Sequence, residues 1–132
     1  MSEPFRVVGL RYPSFYLLEF EGAVAFYTAV FGPPLVDQDT LKGWQLGDTW
    51  LTLFPASAEG KIAQENPRNA EFAVQVAAPE QVDALYHALL AAGASSCWEP
   101  EDTEMYEPMR FCCLDDPFGI RVDVFCPLGP NE

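Results

Sequence analysis

Apolar residues recur along this chain with two different periods, and the switches between them divide it into elements. Residues 10–18 alternate in the manner of a strand. In EGAVAFYTAVFG, Glu21 to Gly32, the apolar positions Val24, Tyr27 (with Ala23), Val30 and Phe31 fall at helical spacing, and the run stops at a glycine followed by two prolines. Short strands are predicted around 34–39, 43–47 and 50–55, followed by a polar stretch from Ser57 to Asn69 that reads as a linker. EFAVQVA, Glu71 to Ala77, returns to alternation. PEQVDALYHALLAAGA opens with Pro79 and an acid in the first turn and closes at Gly93, which predicts a second helix. Strands follow near 94–98, 109–114 and 119–125.

The second half thus repeats the order of the first. Tyr27 and Tyr86 occupy the same place in their helices, an offset of 59. WLTLF (50–54) and RVDVF (121–125) match at an offset of 71. The difference, 71 minus 59, is 12 residues, which the longer acidic loop WEPEDTEMYEP (98–108) can absorb. Before the last strand, Asp116, Pro117 and Gly119 are the residues a type I turn favours, so a tight hairpin is expected there.

A chain of 132 residues fits a single domain with its own core. Its net charge of −13 argues against nucleic acid and anionic membranes as partners. Residues 1–11 lack an apolar segment after a basic start, and no run approaches the roughly 20 apolar residues of a membrane span, so a cytoplasmic location is expected. Cys97, Cys112, Cys113 and Cys126 contain no CxxC pair. Adjacent Cys112 and Cys113 should point to opposite faces of a strand, and free thiols are the favoured reading.

Two β-α-β-β-β modules, a helix carrying AFYTAVFG and a late DDPFG turn leading into a strand together resemble the vicinal oxygen chelate superfamily. That group includes glyoxalase I, extradiol dioxygenases and the fosfomycin- and bleomycin-resistance proteins. The resemblance runs from about Gly9 to Phe125. It implies an α+β fold in which two tandem modules (about 9–56 and 70–126, joined by 57–69) form a curved mixed sheet around a ligand cup.

Alternation then assigns faces. Leu51, Leu53, Val122, Val124, Phe72, Val74 and Val76 are expected under the helices. Tyr12, Ser14, Tyr16, Trp50, Thr52, Phe54, Glu71, Ala73, Gln75, Arg121, Asp123 and Phe125 are expected to face the cup. Metal-dependent relatives carry four ligands at positions that correspond to Tyr12, Thr52, Glu71 and Asp123. The repeat supports that correspondence, since 12 plus 59 is 71 and 52 plus 71 is 123. The only histidine, His87, falls at none of them and reads as a helix surface or packing residue. No essential metal or other cofactor is expected; a divalent ion, were one present, would be held by Glu71 and Asp123.

These residues favour a protein that binds an aromatic, cationic small molecule. Tyr12, Tyr16, Trp50, Phe54 and Phe125 would supply stacking surfaces, and Glu71 and Asp123 negative charge. The bland counterpart is that the aromatics merely fill the cup and that Arg121 neutralises Asp123 or Glu71. Tyr106, with Met105, is a candidate for the cavity rim, on an acidic loop that could serve as a lid. Two other readings stay open: a divalent-metal-dependent, glyoxalase-like lyase/isomerase or dioxygenase, and a non-catalytic dimeric interaction module. A homodimer is expected because open sheet edges need covering.

Overall fold

The computed structural model describes Pro4, Arg6, Val8 and residues 10–57 and 70–129. The first module runs β1 (Ser14–Leu17), α1 (Phe20–Phe31), β2 (Val36–Gln38), β3 (Leu41–Leu46) and β4 (Thr49–Pro55). The second runs β5 (Ala70–Gln75), α2 (Pro79–Ala92), β6 (Ser95–Glu104), β7 (Pro108–Asp115) and β8 (Ile120–Pro127). Each module is one four-stranded mixed sheet, ordered β1-β4-β3-β2 and β5-β8-β7-β6. In both, the first strand lies parallel to the last and the remaining pairs are antiparallel. A helix crossover is what lets a parallel pair form.

Register bears out the repeat. Ser14 pairs with Thr52 in β1–β4, and Ala73 pairs with Asp123 in β5–β8. The separations, 73 minus 14 and 123 minus 52, are the offsets of 59 and 71 read from the sequence. Tyr27 and Tyr86 are both buried, each on its own helix.

The core lies between the helices and one face of each sheet. Leu51, Leu53, Val122 and Val124 are buried there, with Phe72, Val74 and Val76 packed against them. Each fully buried aliphatic side chain contributes about 1.5–3 kcal/mol of transfer free energy. The end of α1 is held by the Trp44 indole N–H, which donates to the Gly32 carbonyl at 2.8 Å. Gly32 itself has a φ of 87°, a conformation that costs a side chain strain and so ends the helix cleanly.

Contacts between modules run through α1 and the β7–β8 turn. Tyr27 Oη donates to Asp116 Oδ2 at 2.6 Å, and the Phe26 and Phe118 rings meet edge-on at 6.0 Å. Phe15 of β1 and Phe72 of β5 also approach, with centroids 6.0 Å apart.

Each module contributes its own four-stranded mixed sheet, as the tandem α+β reading expects, and the two sheets are not closed on one another. Several local expectations change. β1 is shorter than 10–18, and Tyr12 lies before it with a φ of 58°, so alternation does not govern that side chain. The acidic segment 98–108 is mostly strand: β6 continues to Glu104, and only 105–107 form the turn to β7. Its paired backbone makes it a sheet edge, not a loop that covers a cavity. The turn before β8 is tied by the Asp116 side chain, whose Oδ1 accepts from the N–H groups of Phe118 and Ile120 at 2.8 Å each. Residues 58–69, most of the expected linker, lie outside the described residues, as does Gly9.

Candidate functional site

On each sheet the face away from the helices is open, and the two open faces differ. The face of the first module is hollow. Tyr12, Ser14, Val36, Leu41, Gly43, Trp50, Thr52 and Phe54 line a cavity of about 330 Å³. Trp50 lies beside Tyr12 with centroids 6.2 Å apart and planes at 30°, while Tyr16 stacks on Phe54 at 4.8 Å and 10°. Gly43 makes this space: a Cβ there would stand 3.3 Å from the Trp50 ring and 3.5 Å from Val36. Thr52, only 6 % exposed, sits opposite Gly43 at the cavity floor.

The open face of the second module is filled. Cys113 pairs with Asp123 where Gly43 pairs with Thr52 in the first. Cys113 joins Met109, Phe111 and Phe125 in a small apolar cluster separate from the core, with Trp98 edge-on to Phe111 at 5.7 Å. The expected split of Cys112 and Cys113 to opposite faces of the strand is found, with Cys112 in the core and Cys113 on the open face. In MRFCCL both alternating sets look apolar, and the resolving signal is Arg110. It pairs with Asp83 of α2 at 2.6 and 2.8 Å, which turns its set toward the helix and Met109, Phe111 and Cys113 away from it.

Asp123 is the most strained electrostatic element of this face. Its Oδ1 is buried without a hydrogen-bond partner. Glu71, diagonal to it across β5–β8, is the neighbouring carboxyl. Burial first, and then the contact with Glu71 and its charge, push the Asp123 carboxyl up to about 7. Two ionised carboxylates offer no donor to each other. A carboxylate at Asp123 therefore keeps a buried oxygen without a donor.

Arg121 does not neutralise that pair. Its guanidinium grips Asp115, its cross-strand partner, at 2.8 and 3.2 Å, which holds Asp115 below the usual carboxylate range. The pairing follows from register, since directly opposed side chains are nearer than diagonal ones.

A second, larger crevice of about 1080 Å³ runs between the modules. Trp50 from β4 lines it together with Ala73, Gln75 and Phe125 from the second module. Ala73 is the strand partner of Asp123 and Phe125 lies two residues beyond it on the same face, but Glu71, Asp123 and Arg121 themselves line neither cavity. Tyr106 stands at the β6–β7 turn, 99 % exposed, and lines neither cavity. His87 is exposed on α2, its ring edge-on to Tyr86.

A resident divalent metal needs three or four good donors. Glu71 and Asp123 bring carboxylates, but Tyr12 and Thr52 bring neutral hydroxyls that line the cavity of the other module. Among the described residues, no three His, Cys, Asp or Glu side chains stand close enough to share an ion. The donors that the described residues bring together here do not fit a resident divalent metal.

Known proteins place the fold. No curated protein sequence matches the chain significantly. Among solved structures, a glyoxalase-related enzyme from Fulvimarina pelagi is similar with a TM-score of 0.75 and 18 % identity, covering 96 % of each chain. A glyoxalase/bleomycin resistance protein/dioxygenase from Nocardioides gives 0.70 at 21 % identity, over 100 % of this chain and 89 % of that one. A lactoylglutathione lyase from Agrobacterium tumefaciens gives 0.68 at 19 %, over 94 % and 96 %. Identities this low carry the fold alone. The sequence pattern of one family, however, matches residues 18–124 directly. With that match, the doubled module and its register, the chain belongs to the Glyoxalase/Bleomycin resistance protein/Dioxygenase superfamily.

Proposed function

We propose that this protein binds a small organic molecule with a flat aromatic part and a cationic or hydrogen-bond-donating end, without an essential metal. The observation that carries the reading is the aromatic cavity of about 330 Å³ on the first module, floored by Gly43 and Thr52 and walled by Tyr12, Trp50 and Phe54. A planar group entering it meets ring faces, and each such contact is worth about 0.5–1.5 kcal/mol beyond the area buried. Trp50 also lines the crevice between the modules, whose walls include Ala73, the strand partner of Asp123. A donor or cation there would satisfy the unpartnered Asp123 oxygen, which supports the second half of the reading.

The test is a thermal-shift and calorimetric screen of cationic, neutral and anionic aromatic compounds. Cationic aromatics are expected to stabilise the protein, and Trp50→Ala and Asp123→Asn each to weaken them. Preferential binding of anionic thiols or catechols would sink the electrostatic half. Ni²⁺, Fe²⁺, Mn²⁺, Zn²⁺ and EDTA are expected to leave the melting temperature unchanged, and a stoichiometric ion in purified protein would overturn the metal-free reading.

Asp123 favours a second reading, as an acid–base enzyme. A carboxyl titrating near neutrality and backed by a second carboxyl suits proton abstraction from a carbon acid or its return. Turnover lost in Asp123→Asn with ligand affinity kept would distinguish this from binding alone.

A homodimer is also proposed. β2 and β6 are the outer strands of their sheets, and β6 is 10 residues long, an edge that needs covering. Sedimentation measurements giving a monomer at micromolar concentration would refute it.

A further inference from the structure

The second module's open face brings two thiols together where β6 departs from regular pairing. Ser96 pairs with Leu114 and Trp98 with Cys113, so Cys97 is the extra residue of a β-bulge opposite Cys113. A bulge of this kind sets two residues of one strand against one of the other and re-aims their side chains. The result is that Cys97 stands next to Cys113 across the β6–β7 pair, close enough for each thiol to influence the other. The two differ in access: Cys97 is exposed, whereas Cys113 is 4 % exposed in the cluster with Met109, Phe111 and Phe125. The Arg121 guanidinium lies within electrostatic reach of both sulfurs. Neither the ligand cavity nor the core explains this pairing. Cys112, next in sequence, points to the core instead.

We propose that Cys97 and Cys113 form a reversible disulfide across the β6 bulge, by exchange with low-molecular-weight disulfides. The exposed Cys97 thiolate attacks one sulfur of the small disulfide, forming a mixed disulfide and expelling one thiolate, which takes up a proton. Cys113 then loses its proton, attacks the Cys97 sulfur and expels the second small thiolate. In sum, two protein thiols are oxidised to one disulfide, and one small disulfide is reduced to two small thiols. Cys113 is buried, and burial pushes its thiol up to about 12, so the exposed Cys97 meets the small disulfide first and Cys113 reacts only once the mixed disulfide stands beside it. The bond would pin the edge strand beside Asp123, the strand partner of Cys113, and so link the state of this wall to the thiol–disulfide balance around the protein.

The experiment treats the full chain with oxidised glutathione, blocks remaining thiols with iodoacetamide and maps peptides under non-reducing conditions. Expected are loss of the mass of two hydrogens, a cross-linked peptide pair containing Cys97 and Cys113, and reversal by dithiothreitol. Cys97→Ala should abolish the bridge, while Cys113→Ala should stop at a lasting glutathione adduct on Cys97. Cys112→Ala and Cys126→Ala should leave the bridge intact. Because Cys113 is packed, circular dichroism of its variant accompanies the mapping, and the wild-type map decides if that variant unfolds. A bridge through Cys112 or Cys126, a Cys97–Cys97 dimer, a lasting adduct in the wild type, or no reaction would each overturn the proposal.

Discussion

The Tyr27 hydroxyl donates a 2.6 Å hydrogen bond to Oδ2 of Asp116, residues 89 apart in sequence, and so ties α1 of one module to the β7–β8 turn of the other. Asp116 also accepts from the backbone of Phe118 and Ile120. One carboxylate therefore both closes the turn that sets the register of β8 and fastens the modules together. Tyr27→Phe leaves Oδ2 buried without its donor. The expected loss is about 1–3 kcal/mol of unfolding free energy, measured by urea denaturation.

Asp123 predicts a pH dependence. Its folded-state titration near 7 lies above the unfolded carboxylate value, so the folded state binds the proton more tightly. Stability from this group is present in full below about pH 4 and is lost as pH rises towards 7. Asp116, raised mainly by burial, acts with the same sign. Asp83 and Asp115, lowered by their arginines, act with the opposite sign and lose their contribution as pH falls below the unfolded carboxylate value. Maximal stability is thus expected in mild acid, between about pH 4 and 6. Asp123→Asn should remove about 1–2 kcal/mol of the decline towards neutral pH, solvent screening included, as read from melting temperatures across pH.

Arg121→Ala separates the two carboxyls of β7 and β8. Asp115 loses the guanidinium that holds it down and should return towards the usual carboxylate range. Asp123 loses a weaker favourable charge and should titrate higher than in the wild type. Carboxyl carbon shifts followed by NMR across pH measure both movements. A fall in the Asp123 value would contradict the placement of Arg121.

Gly43→Ala tests the hollow in the first module. The added methyl would press against Trp50 and Val36 and take up the cavity floor. Affinity for an aromatic ligand is expected to fall roughly fivefold, about 1 kcal/mol. The backbone of Gly43 is that of an ordinary strand residue, so calorimetry of ligand binding, not folding, should register the change.

The sequence by itself determined the doubled module, its register and the faces of its inner strands. Those are local properties: a period of two in RVDVF decides that Val122 and Val124 are covered while Asp123 is not, whatever lies opposite. Tyr12 does line the cavity, but a positive φ before β1 puts it there instead of strand alternation. Alternation put Cys112 and Cys113 on opposite faces of their strand but could not say which face is the core, because both are apolar. Only the tertiary structure decided which charges meet. Arg121 takes Asp115, its direct cross-strand partner, and leaves Asp123 beside Glu71 with an oxygen that has no donor. Only the tertiary structure, too, set Cys97 beside Cys113, through a one-residue bulge that no composition or spacing announces. Period sets which side a residue faces; distance across strands, which pairing alone creates, sets what it finds there.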